Sequence, residues 1–117
     1  MPYRRILEVL LARVAGARTA LLLDVQGEVV VGAGNLDERQ RLIGAYQGIA
    51  LGMVSRAAQR VGGGEVRAVV SRHASGSVVL ATLKDGYYLV LSLDPLALPA
   101  VAARCCQDAR VRLDEEI

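Results

Sequence analysis

The sequence predicts an α+β domain in which an antiparallel five-stranded sheet is flanked by three helices, in the order α-β-β-α-β-β-β-α. Three observations carry that expectation. Helical segments open, divide and close the chain; short runs rich in Val and Leu fill the spaces between them; and Gly, Asp-Gly and Asp-Pro stand where those runs must turn or stop. At 117 residues the chain forms one domain over residues 1–117, large enough to bury a single core without a metal or a disulfide.

From Tyr3 to Ala15, the apolar residues Ile6, Leu7, Leu10, Leu11 and Val14 recur at three- and four-residue spacing. Arg4, Glu8 and Arg13 lie between them, which is the pattern of an amphipathic helix, and Gly16 stops it. Residues 19–24 and 28–31, separated by Val25-Gln26-Gly27, form a hairpin, and the unbroken apolar run of the first strand predicts cover on both faces. Residues 32–39 supply a loop and then Asn35 or Asp37 as the N-cap of a long helix with acidic residues in its first turn. That helix should run to about Val61, where Gly62, Gly63 and Gly64 end it. Strands follow over residues 65–72, 77–83 and 87–93. Gly76 marks the first of their turns and Lys84-Asp85-Gly86 the second. Asp94-Pro95 ends the sheet, and a last helix starts near Pro95 or Pro99 and reaches about Leu113, leaving residues 114–117 frayed.

Composition narrows the function before any motif does. The chain is 53% hydrophobic but only 3% aromatic, with no Trp or Phe, so the core must be Leu, Val, Ala and Ile, and little remains to stack on bases or cofactors. An apolar fraction this high suits a protein that hides part of its surface in an oligomer interface. The net charge is +2, and the basic residues are spread from Arg4 to Arg112 without a block, which argues against nucleic acid as a partner. Thirteen of the fourteen basic residues are Arg, a bias that genome composition explains as readily as a binding surface does. The N-terminus lacks the long apolar run of a signal peptide, which points to the cytoplasm.

Motifs for catalysis are sparse. Cys105 and Cys106 are adjacent, without C-x-x-C spacing and with His73 as the sole histidine, so they read as packed thiols and not as a metal site. His73 sits near Ser71 and Ser75, yet no nucleophile elbow, paired carboxylates or metal spacing accompanies them. The Gly62-Gly63-Gly64 run precedes a strand, whereas a phosphate-cradling loop precedes a helix. The expectation is a protein without enzymatic activity and without a cofactor.

The segment L-I-G-A-Y-Q-G-I-A-L-G-M-V (residues 42–54) places Gly44, Gly48 and Gly52 four apart inside the long helix. Each mid-helix Gly costs about 1 kcal/mol relative to Ala, ~3 kcal/mol together, against a total stability of roughly 5–15 kcal/mol. Membrane insertion does not explain them, because the uncharged run between Arg41 and Arg56 has fourteen residues and a span needs about 20. At about 100° per residue, Leu42, Tyr46, Ile49, Ala50, Met53 and Ala57 fall on one side, which is expected to cover the sheet. Gly44, Gly48, Gly52 and Ser55 fall on the other, with Leu51 at the edge. That side is expected to meet the same helix of a twin subunit about a two-fold axis, the alternative being that the glycines accommodate a loop of the same chain. The strand that follows carries Glu65, Arg67 and Arg72, as edge strands do, and would extend its sheet into the neighbour's. The expected dimer seam is Gly44, Gly48, Gly52, Leu51, Ser55, Val66, Ala68 and Val70, burying roughly 1,200–2,000 Å².

Three stretches together resemble one family: L-L-L-D-V-Q-G-E-V-V (residues 21–30), the helix rich in small residues from Asp37 to Val61, and S-V-V-L-A-T-L-K-D-G-Y-Y-L-V-L (residues 77–91) with the Asp94-Pro95 start of the last helix. Their order and spacing are similar to those of the roadblock/dynein light chain domain family, over roughly Tyr3 to Val111. The resemblance implies a roadblock/profilin-like fold, homodimers or heterodimers formed through the long helix and third strand, and a role as a platform for small Ras-like GTPases. Single-domain prokaryotic members similar to mutual gliding-motility protein B assist GTP hydrolysis by reorganising the partner's own active site, so the resemblance implies no catalytic residue here. Arg39, Arg41 and Arg56 flank the glycine strip and are candidate contacts to an acidic partner, or else solvated helix-face charges. The expected function is a dimeric regulator or scaffold that binds a Ras-like GTPase and modulates its GTP hydrolysis. The alternative is a small-molecule-sensing or structural adaptor domain of profilin-like fold, since a curved antiparallel sheet with helices can enclose a ligand. A scarcity of aromatic and polar residues pointing into the core weighs against that alternative.

Overall fold

Successive side chains of a strand point to opposite faces, so the nearly unbroken apolar runs of this chain make a sheet that is apolar on both faces. A computed structural model describes residues 2–117. The strands are β1 (Ala17–Leu23), β2 (Val29–Gly34), β3 (Ala68–His73), β4 (Gly76–Thr82) and β5 (Tyr88–Leu93). They pair antiparallel throughout, in the order β2-β1-β5-β4-β3, which makes β2 and β3 the edges. On one face lie Ala20 and Leu22 of β1, Val79 and Ala81 of β4, and Leu89, Leu91 and Leu93 of β5. On the other lie Leu21 and Leu23, Val78 and Leu80, and Tyr88 and Val90. β1 is thus covered on both sides, as its unbroken apolar run requires.

Two helices close the first face. α1 (Pro2–Arg13) buries Ile6, Leu7 and Leu10, and α3 (Pro99–Glu116) buries Ala102, Cys105, Cys106, Ala109 and Leu113. The small residues of α3 let its backbone sit close to the sheet, and each buried Leu contributes about 1.5–3 kcal/mol. Burial pushes the Cys106 thiol up to about 12, with the neighbouring Cys105 adding to the effect. Both cysteines are free, and among the described residues no three His, Cys, Asp or Glu are grouped to hold a metal ion.

The connections follow from local chemistry. The Asp24 carboxylate accepts from the Gln26 and Glu28 amides in the β1–β2 turn, and the Asp94 carboxylate accepts from Leu96 and Ala97 after β5. Between β4 and β5, Asp85 (φ 60°) and Gly86 (φ 79°) both take the left-handed conformation, which Asp tolerates and Gly adopts freely.

Three expected boundaries shift, the first being β2, which runs on to Gly34 through residues expected to form a loop. α3 begins at Pro99 and continues to Glu116 instead of fraying after Leu113. Leu113 is fully buried, the Ile117 amide donates to its carbonyl, and the Tyr3 hydroxyl donates to the Glu116 carbonyl at 2.8 Å. β3 begins at Ala68 rather than Glu65, although Thr82 still ties residues 66 and 67 to β4 through their carbonyls. No helix among the described residues is long and apolar enough to cross a membrane.

Candidate docking face on the long helix

α2 (Glu38–Arg60) lies alone on the second face of the sheet, over β1 and β5. It starts at Asp37, whose carboxylate accepts from the Gln40 amide at 2.9 Å, with Glu38 in the first turn to oppose the helix dipole. Of its 23 residues only Gln40 and Gly44 are buried. The core under α2 holds six buried residues against nineteen on the opposite face, so α2 leaves its side of the sheet incompletely covered.

The helix is rolled the opposite way from the sequence expectation. Gly44 and Gly48 face the sheet: a β-carbon on Gly44 would stand 2.9 Å from Leu21 Cδ1 and 3.2 Å from Leu23 Cδ2, and one on Gly48 would overlap the Tyr88 hydroxyl. That hydroxyl donates to the Gly44 carbonyl at 3.3 Å. Burial, and then the negative charge of Asp24, raise the Tyr88 pKa, so the phenol stays a neutral donor. The residues expected to cover the sheet are outside: Leu42, Tyr46, Ile49 and Met53 are 47%, 65%, 62% and 61% exposed. Ala57 is exposed and Ala50 half-buried.

Shape decides the roll. Leu21, Leu23 and Tyr88 already fill the layer beneath the middle of the helix, so only residues without a side chain, Gly44 and Gly48, fit over them, with Gln40, Ile43, Gln47 and Leu51 to either side. Gly44 and Gly48 therefore serve a close approach within the chain, on the side of the helix where the sequence places a twin subunit. Gly52 differs, since only its own neighbour Arg56 Nη1, at 3.3 Å, comes near a β-carbon placed there.

The remaining seam residues are dispersed. Leu51 packs half-buried on the α2-side core, and Ser55 and Val66 are half-buried. Along β3, Val69 packs toward α2, while Ala68 and Val70 are exposed. The outer edge of β3 is unpaired. Arg39, Arg41 and Arg56 are all exposed, and the one ion pair among the described residues, Arg13 with Asp108 at 3.1 Å, involves none of them.

Sequence reasoning passed over two glutamines. Gln40 and Gln47 share the inner side of α2 with Gly44 and line a cleft with His73 and Ser75. The signal was available in their seven-residue spacing, which puts both on one side of a helix.

Comparison with known proteins places this geometry. Residues 5–92 match the family model of the Roadblock/LC7 domain. No curated protein matches the sequence significantly. Among solved structures, a Roadblock/LC7 domain from Streptomyces avermitilis superposes with a TM-score of 0.87 at 23% identity, over 97% of this chain and 95% of that one. The gliding protein MglB from Thermus thermophilus gives 0.86 at 19% identity, over 97% and 87%. Profilin IB of Acanthamoeba castellanii gives 0.67 at 16% identity, over 97% and 98%, so the profilin likeness extends to the whole domain. The family match and the three-helix, five-strand architecture together establish that this chain belongs to the Roadblock/LC7 domain family.

Proposed function

We propose that the protein is a homodimeric regulator or scaffold that binds a small Ras-like GTPase and modulates its GTP hydrolysis, without catalytic residues or a cofactor of its own. The observation that carries the pairing is α2 itself, a 23-residue helix with two buried residues and an exposed stripe of Leu42, Tyr46, Ile49 and Met53. A contiguous apolar stripe of this kind is normally covered. The same helix of a second copy, antiparallel about a two-fold axis, presents the matching surface. Beside it the free edge of β3, with Ala68 and Val70 exposed, offers a ladder for a second β3. Gly52 and Ser55 border this seam; Gly44 and Gly48 do not take part in it.

Family membership and the likeness to MglB support the GTPase reading, and the unpaired Arg39, Arg41 and Arg56 suit an acidic partner surface. Light scattering on the purified protein is expected to give twice the chain mass. Ile49→Lys with Met53→Lys, at two exposed positions, should give a folded monomer. A concentration-independent monomer in the unmodified protein sinks the pairing. For function, GTP turnover by a Ras-like GTPase encoded beside this gene should change when the dimer is added. Neither binding nor a change in rate removes the regulator.

A further inference from the structure

Two carboxamide oxygens on the inner side of α2 have no hydrogen-bond donor. Gln40 is 5% exposed, and its Oε1 is buried without a hydrogen-bond donor; Gln47 Oε1, two turns further along, is in the same condition. An unpaired buried amide oxygen costs about 1–3 kcal/mol, and an aliphatic residue at either position would simply have extended the core. Both side chains line one cleft of about 270 Å³ between the N-terminal half of α2 and the β3–β4 turn. Ser92, also 5% exposed, adds a third polar group to it. Arg18, Arg39 and His73 stand around the cleft, no Asp or Glu lines it, and neither arginine is held in an ion pair. Deep acceptors below and unopposed guanidinium groups at the rim define a ligand chemistry.

We propose that this cleft binds a small hydroxylated anion, its carboxylate or phosphate group facing Arg18 and Arg39 and its hydroxyl donating to Gln40 Oε1. Guanidinium groups suit either anion, since both accept from their forked N–H donors. Selectivity for the hydroxyl follows from the buried oxygen, because an analogue without a donor leaves it unpaired in the complex. The volume lies just under the roughly 300–1,000 Å³ of drug-sized sites, so the ligand is small. The inference does not rest on the pairing of α2 helices.

The test follows backbone amide shifts of the full chain by NMR during titration with malate, succinate and glycerol 3-phosphate. Malate and succinate share two carboxylates and differ in one hydroxyl; glycerol 3-phosphate separates a phosphate preference from a carboxylate one. Malate or glycerol 3-phosphate should shift residues 40–47 and 73–77 saturably, with succinate weaker than malate by about tenfold or more. Gln40→Leu should bring malate down to the level of succinate, and Arg39→Ala, at an exposed position, should weaken both. Absence of a saturable shift with malate and with glycerol 3-phosphate overturns the proposal, as does equal binding of malate and succinate to the unmodified protein, a comparison that needs no variant to fold. Gln40→Leu that keeps full malate binding but alters dimer affinity overturns it too, assigning the carboxamide to a second copy of the chain.

Discussion

Gly48 and Gly52 stand one helical turn apart, and their surroundings give them opposite tolerance for a methyl group. At Gly48 the added carbon meets the hydroxyl of Tyr88, a ring 2% exposed and held by its bond to the Gly44 carbonyl. The overpacking costs about 1–3 kcal/mol, more than the roughly 1 kcal/mol of helix propensity that Ala returns. At Gly52 nothing but the flexible Arg56 side chain is near, so the propensity gain stands alone. Gly48→Ala should therefore lower the unfolding free energy measured in urea and Gly52→Ala raise it, by about 1 kcal/mol each in opposite directions. A loss of stability at Gly52 would instead reveal a partner backbone against that turn. The residue type was legible in the sequence, but its job was not, because what a glycine faces is a property of the layer beneath it.

The three helices are held by different means, and the differences are testable. α2 depends on its N-cap, since it buries so little. Asp37→Ala removes the acceptor for the Gln40 amide and should cost about 1 kcal/mol. The Arg13–Asp108 pair between α1 and α3 looks like a clamp, but its side chains are 48% and 57% exposed. Solvent screens it, and Asp108→Ala should change stability by less than about 0.5 kcal/mol. Chemical denaturation of the two variants side by side checks the ranking, and equal losses would refute it. Legibility at this scale was good for α1, β1 and the β4–β5 hairpin, whose periodicity and Asp-Gly turn are local signals. It was poorer at the end of α3, where Tyr3 holds the Glu116 carbonyl from the other end of the chain, and at the start of β3, where Thr82 holds residues 66 and 67 without bringing them into the strand.

Across the whole molecule, α1 and α3 close one core while α2 leaves the other partly open, and the closed side carries a pH limit. The Cys106 pKa is raised from 9.0 to about 12 by burial and by Cys105. The folded state thus holds that proton more tightly than the unfolded one. Its stabilising effect is complete below pH 9 and is lost as pH rises from 9 toward 12, on the order of 4 kcal/mol in all. Tyr88, raised by burial and Asp24, acts in the same direction at alkaline pH. Denaturant midpoints should hold from pH 7 to 9 and then fall, with a shallower fall in Cys106→Ala. A flat profile to pH 11 would contradict the burial of the thiol. The sequence by itself determined the element order, the antiparallel sheet, its edge strand and the family, because alternation, turn residues and caps act between near neighbours. Only the tertiary structure decided which side of α2 is inside. Both sides are apolar or small enough to be buried, and the choice went to the glycines because Leu21, Leu23 and Tyr88 left no room for larger groups. That choice turned Leu42, Tyr46, Ile49 and Met53 outward and buried Gln40.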